Sequence, residues 1–315
     1  MRALISSLAV LASLGRAVAR GLGAAPLAAP DDPEAARLVR DGDDAYRAGR
    51  LDQARALYRQ ALERRTTDAG ALRGLRTLAV DAGAWAEALT LAERVLESVS
   101  GAARGVEAAA LAGVHYELGR IDLAQGRPAA AAAHCKSALK ADRAFVPAAL
   151  ALGAAHEAMG DRREAVRTWE RAAEVQPALP LLARLERVYR EDGRPSRMIA
   201  LYRAAVGREP DDLALAMALG RVYLELEMLD EAADQFEKVE VRAPDHPVVH
   251  AYLGAVFERR GETREAFEEY RRALRRSGAF EWPQQCAACA ATVPAWRERC
   301  PECGRWNTLG PAGGR

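Results

Sequence analysis

Four of the chain's five cysteines stand within eighteen residues of one another, in the stretch CAACAATVPAWRERCPEC. They are Cys286, Cys289, Cys300 and Cys303, spaced C-x2-C-x10-C-x2-C. Two short knuckles of this kind can face each other and set four thiolates tetrahedrally around one metal ion. The competing readings are two disulfides, or free thiols. A disulfide closed within one CxxC pair is strained and is chiefly a redox-enzyme feature, and no thioredoxin-like strand-helix pattern surrounds these pairs. A metal site is therefore expected on these four residues. Zinc is favoured over iron, because nothing else in the chain points to electron transfer.

The second knuckle, CPECG, has the proline and glycine that ease a tight turn. The first, CAACA, has alanine where glycine would serve better. The segment from Glu281 to Leu309 is too short to build a core of its own. Metal binding would have to supply much of its folding energy, and Trp282, Trp296 or Trp306 could pack it against the last repeat before it.

The chain that positions these residues has 315 residues, a formal net charge of +1, 50% hydrophobic and 28% charged residues. Aromatics are only 6%. Abundant alanine, leucine, arginine and glutamate favour helix over sheet. The near-zero charge argues against a general nucleic-acid binder.

Residues 31–278 repeat. An alanine recurs at Ala54, Ala88, Ala131, Ala165, Ala232 and Ala266, with Met198 in the same register, at spacings of 34, 43, 34, 33, 34 and 34. Four residues after each stand Tyr58, Ala92, Cys135, Trp169, Tyr202, Phe236 and Tyr270. Turn positions fall at Gly49, Gly83, Gly126, Gly160, Gly193, Glu227 and Gly261, and Pro177, Pro210 and Pro244 close three of the units. This resembles the tetratricopeptide repeat, a helix-turn-helix unit of 34 residues whose small positions let helices approach and whose large positions fill the gap between them. Such units leave one face unburied and must stack. The expected fold is therefore all-α, a tetratricopeptide superhelix of about seven repeats with a small rubredoxin-like, four-cysteine zinc ribbon at its C-terminus. The 43-residue interval adds about nine residues within SVSGAARGVEAAALAGVHYELG, which are expected to lengthen the helices there.

By the geometry of that repeat family, Arg73, Tyr116, Arg120, Arg187, Arg190, Met217 and Arg221 would line the concave groove. Arginines there would suit an acidic or C-terminal peptide; alternatively they are solvated helix surface. The two-lysine, two-asparagine clamp of chaperone-binding tetratricopeptide domains is missing, since Asn307 is the chain's only asparagine.

Little in the sequence points to catalysis. There is no GxxxxGK[ST] loop and no GxSxG elbow. HEAMG lacks the second histidine of HExxH, and His156 and His250 occupy repeat packing positions. His115, His134 and His246 are scattered, and Cys135 stands at a bulky core position. The chain is not expected to be an enzyme.

Residues 1–30 are unlike the rest. Ala3 to Gly15 is an uncharged, mostly apolar run flanked by Arg2, Arg16 and Arg20. As helix it spans about 20 Å, short of a hydrocarbon core of about 30 Å. Three readings fit: a membrane anchor extended by snorkelling arginines, a cleaved secretory signal, or an interfacial helix. The arginines after the run lean towards a cytoplasmic body.

An apolar N-terminus, a tetratricopeptide array and a terminal pair of CxxC knuckles together resemble the bacterial lipopolysaccharide assembly protein B family. The tail CPECGRWNT is similar to that family's CPxCxxW-[small polar]-T ending. Two departures are the short, arginine-containing N-terminal run and Glu298, which stands where an aromatic residue is expected. The resemblance implies an inner-membrane adaptor with a cytoplasmic body. Such an adaptor helps a membrane AAA+ metalloprotease act on a lipid A biosynthetic deacetylase. It also implies that Cys286, Cys289, Cys300 and Cys303 hold the metal. The alternative is an exported periplasmic repeat protein for envelope assembly. Residues 279–309 would be the knuckle unit and 310–315 a disordered tail.

Overall fold

The computed structural model describes residues 32–275 and 283–312. The N-terminal apolar run, with its anchor and signal readings, lies outside these residues, as does Trp282. Among the described residues no helix is long and apolar enough to cross a membrane. The chain divides into two compact units, Met1–Leu118 and Gly119–Arg315.

Among the described residues, fourteen helices follow one another as seven helix-turn-helix pairs: α1 (Pro33–Arg47) with α2 (Leu51–Arg64), α3 (Ala69–Asp81) with α4 (Trp85–Ser98), α5 (Ala102–Ala124) with α6 (Pro128–Ala141), α7 (Val146–Ala158) with α8 (Arg162–Val175), α9 (Leu179–Glu191) with α10 (Pro195–Arg208), α11 (Leu213–Glu225) with α12 (Leu229–Arg242), and α13 (Pro247–Arg260) with α14 (Thr263–Arg275). Local chemistry sets the starts. Asp32, Asp68, Asp161 and Asp212 cap their helices by accepting backbone N–H groups of the first turn, and prolines occupy the first turn of α6, α7, α9, α10 and α13. Such caps satisfy donors that the helix itself leaves unpaired.

The long interval in the sequence appears as α5, which has 23 residues where its neighbours have 13 to 15. The turn inside each pair needs one left-handed residue. Six of the seven are glycine, with φ between 64° and 81°, and the seventh is Glu227 at φ 57°. A side chain in this region costs about 1–2 kcal/mol. Glu227→Gly is therefore expected to raise stability by up to about 1 kcal/mol, its larger unfolded entropy offsetting part of the gain; an unchanged or lower melting temperature would contradict this.

Small-against-large contacts close the pairs. In the first unit the Tyr58 ring lies against Gly42 and Gly74, where added methyl groups would come within 2.6 and 2.3 Å of it. In the second unit Trp169 is fully buried beneath Gly153, Phe236 beneath Gly220 and Tyr270 against Gly254. One continuous core there runs from Val146 to Val256.

Repeat five departs from this pattern. Glu186 stands where the neighbouring repeats have Gly153 and Gly220, and the opposing ring is Tyr202, whose hydroxyl donates to Glu186 Oε2 at 2.6 Å. Burial pushes the Glu186 carboxyl up, but hydrogen bonds from Arg221 and Tyr202 and the charges of Arg221 and Arg190 outweigh it and hold it below the usual carboxylate range. A carboxylate lowered in this way adds stability above its unfolded value, and that stability is lost as pH falls through the folded one. Wild type is expected to lose more stability than Glu186→Gln between about pH 6 and pH 3 in urea denaturation; parallel losses would contradict this.

Residues 283–312 form a small antiparallel sheet, β1 (Gln284–Cys286), β2 (Thr292–Val293) and β3 (Leu309–Pro311), in the order β2-β1-β3. Gln285 pairs with Thr292 on one side and Gly310 on the other. The third strand thus reaches Pro311, two residues into the stretch expected to be a tail, because Gly310 and Pro311 complete the ladder opposite Gln285 and Gln284.

Candidate metal centre

Each knuckle is a tight turn built the same way. Ala290 N–H donates to the Cys286 carbonyl at 2.8 Å, and Gly304 N–H to the Cys300 carbonyl at 2.9 Å. Both closing residues are left-handed, Ala290 at φ 60° and Gly304 at φ 69°. The alanine of the first knuckle therefore sits in the conformation that glycine adopts freely.

The turns bring four sulfurs together. Cys286 Sγ lies 3.7 Å from Cys303 Sγ, and Cys289 Sγ lies 3.8 Å from Cys300 Sγ. All four lie within 4.8 Å of one another. A tetrahedral site with metal–sulfur bonds of about 2.3 Å has sulfur–sulfur edges of about 3.8 Å. The four cysteines form a rubredoxin-like metal site, with close sulfur pairs running between the knuckles. Cys286 and Cys300 are buried; Cys289 and Cys303 are exposed.

The electrostatics fit a cation. Burial pushes the Cys286 thiol up, but the Thr308 hydroxyl and the N–H groups of Ala288 and Cys289 outweigh it and bring it down to about 6. Cys303 goes the other way, pushed up to about 12 by burial and by the neighbouring sulfurs. One thiolate is welcome in this cluster and further ones repel it. A metal ion would remove that repulsion and release protons on binding. Cys286, Cys289, Cys300 and Cys303 would each supply one thiolate to it.

Around the sulfurs, Arg299 lies 4.7 Å over the Trp306 ring and donates to the Gly304 carbonyl at 2.6 Å. Trp296 packs both on the ribbon's small core and on the repeat core. Asn307, left-handed at φ 52°, donates its side-chain N–H to the Ala144 carbonyl at 2.9 Å. Ala144 lies in the turn between repeats three and four, so this hydrogen bond docks the ribbon there. Asn307→Ala is expected to speed amide exchange across residues 283–312, through a lost hydrogen bond of about 1 kcal/mol and a less favourable left-handed residue. Unchanged exchange would contradict that role.

The groove residues fare differently. Tyr116 and Met217 are buried, at 7% and 6% exposure. Arg73 Nε donates to Glu107 Oε1 at 2.6 Å. Arg221 pairs with Glu186 and Glu225, both at 2.6 Å, and Arg190 with Glu186 at 2.7 Å and also with Glu225. Two guanidiniums are thus balanced by two carboxylates. Arg187 lies 3.6 Å from Glu157 and 3.8 Å from Glu191. Arg120 is exposed. Counting arginines along the sequence misses these partners, although Arg73 and Glu107 are 34 residues apart and Arg190 and Glu225, like Arg221 and Glu186, are 35. A separation of one repeat period is the signal that could have found them.

Family models agree with this geometry. Two described as tetratricopeptide repeat match residues 39–103 and 189–256. A third, described as rubredoxin metal binding domain and named for the zinc ribbon of LapB, matches residues 285–311. No curated protein matches the chain. Similar solved structures include a crystal structure of MamA, 20% identical, covering 52% of this chain and 91% of that one at a TM-score of 0.39. Another is YrrB, described as a TPR protein with an unusual peptide-binding site, 21% identical, covering 52% and 85% at 0.37. A third is MamA from Desulfovibrio magneticus RS-1, 19% identical, covering 52% and 93% at 0.38.

The chain is a tetratricopeptide-repeat protein with a metal-binding ribbon, a fold that serves as a protein-interaction scaffold. The repeats and the ribbon together match the domain order of a tetratricopeptide-repeat protein of the lipopolysaccharide assembly protein B type.

Proposed function

We propose that the chain is a non-enzymatic, membrane-associated adaptor that regulates lipopolysaccharide synthesis by presenting a lipid A biosynthetic enzyme to a membrane AAA+ metalloprotease. The observation that carries this reading is the match of residues 285–311 to the LapB zinc ribbon, on the same chain as a tetratricopeptide array. Residues 1–30 would anchor the chain in the inner membrane, with the body on the cytoplasmic face. Reduced thiolates suit that reducing side, and zinc is the ion assigned to the four cysteines, since it holds an all-thiolate site without redox chemistry. The repeats would bind the protein partners. Their paired arginines offer a charge-balanced surface, so recognition there would rest on shape and hydrogen bonding as well as charge.

The test is the half-life of the lipid A deacetylase in the host, with and without this chain. The adaptor reading expects the enzyme to persist longer when the chain is deleted. An unchanged half-life would overturn it.

A further inference from the structure

The last two repeats carry a second group of metal-ligating side chains, far in type from the thiolates. His250, on α13, is 3% exposed, and Glu269, on α14, is 8% exposed. His250 occupies the position filled by Ala216, Leu182 and Ala149 in the three repeats before it. Packing at this register calls for an apolar residue, so a buried imidazole there needs another explanation.

The ring's surroundings fix its chemistry. Nε2 lies 2.8 Å from the Pro244 carbonyl, which can only accept, so Nε2 carries the hydrogen. In the neutral ring Nδ1 is then a bare lone pair. It faces Glu269 Oε2 at 2.7 Å and Glu240 Oε1 at 3.8 Å. A lone pair set against two carboxylates is repulsive, and either a proton or a metal ion held between the groups relieves it; Arg272 Nη1, 3.8 Å from Glu240 Oε1, offsets part of the acidic charge. The three ligand atoms lie within 4.8 Å of one another. The distances of 2.7 and 3.8 Å bracket the edge of about 3.3 Å of a tetrahedron with bonds of about 2.0 Å.

The outer contacts have the form that metal sites use. A ligating histidine donates its other N–H to a carbonyl, and ligating carboxylates are themselves hydrogen-bonded. Pro244 supplies the first of these. Arg272 supplies the second, donating from Nη1 to Glu269 Oε1 at 2.7 Å while Oε2 stays turned to the ring. Glu240, on α12, has a side chain 30% exposed and so gives a route from solvent and room for a water.

We infer that His250 Nδ1, Glu269 Oε2 and Glu240 Oε1 form a second metal site, for a divalent ion of the zinc class. Imidazole with two carboxylates suits such ions, and the absence of sulfur separates this site from the ribbon. An ion here would tie α12, α13 and α14 together.

The test is a cobalt(II) titration of the tag-free full-length protein. Two equivalents are expected. One produces thiolate-to-metal charge-transfer absorption, and the other binds without adding any. His250→Ala and Glu240→Gln should each remove the second equivalent and leave the charge-transfer bands intact. Glu240→Gln decides the matter if His250→Ala disturbs the helices, since it keeps shape at a partly exposed position. A single equivalent in the wild type would overturn the inference and mean that a proton, not a metal, bridges His250 and Glu269. A second equivalent that survives both substitutions would overturn it as well. A ribbon that fails to load shows as missing charge-transfer bands and leaves the count at this site readable.

Discussion

Stripping the metal, or replacing Cys286 and Cys300 with serine, is expected to unfold residues 283–312 while the repeat helices stay folded. The ribbon's buried core consists of Cys286, Val293, Cys300 and Leu309, and two of these four are ligands. Below about 40 residues a chain rarely holds a fold without a metal, disulfides or a partner, and a structural zinc supplies on the order of 10 kcal/mol. Without it, the sulfurs at 3.7 and 3.8 Å repel one another once ionised, and the short ladder of β1 cannot compensate. Hydrogen exchange would show protection lost at Ala290, Gly304 and Gln285, with the amides of α7 to α12 still protected. Because protons compete with the ion for thiolates, the same loss should follow a fall in pH. Protection that survives chelation would mean that docking through Trp296 and Asn307 alone holds the ribbon.

The second large effect lies in repeat four. Trp169→Ala is expected to cost about 3–5 kcal/mol, the usual range for deleting a buried aromatic side chain. Gly153→Ala is expected to cost about 1–3 kcal/mol or more through overpacking, because its new methyl group would come within 2.0 Å of Trp169 Nε1. The two effects share one cause. In the Trp169→Ala background the added methyl has room, so the cost of Gly153→Ala should largely vanish. Urea denaturation of the four proteins gives the coupling. Additive costs would show that the ring and the glycine do not bear on each other as the packing requires.

What can be read from sequence here follows from the range of the interactions. The seven helix pairs and their turns are legible because the alanine, the bulky residue and the glycine recur within one repeat. Even Glu227 falls in the turn register by spacing alone, and its φ of 57° agrees. The long α5 follows from the 43-residue interval. The four cysteines are legible because both knuckles are local and their spacing alone defines a tetrahedral set. Contacts between repeats are not. Arg190 and Arg221 look like free groove cations until folding sets Glu186 and Glu225 beside them. The ribbon's docking on Ala144 spans 163 residues, and no periodicity announces it. His250 stands at a packing position in the repeat register and is buried there. Its carboxylate neighbours come from α12 and α14, which only folding brings to it.

The measurement to make first is affinity capture of the full-length chain from detergent-solubilised membranes of its own host, with bound proteins identified by mass spectrometry. The adaptor reading expects an intact N-terminus, a membrane AAA+ metalloprotease and a lipid A biosynthetic enzyme among the partners, and their loss when Cys300 and Cys303 are replaced with serine. A chain recovered from the soluble fraction, shortened at its N-terminus and bound to envelope proteins, would contradict it and place the repeats in the periplasm.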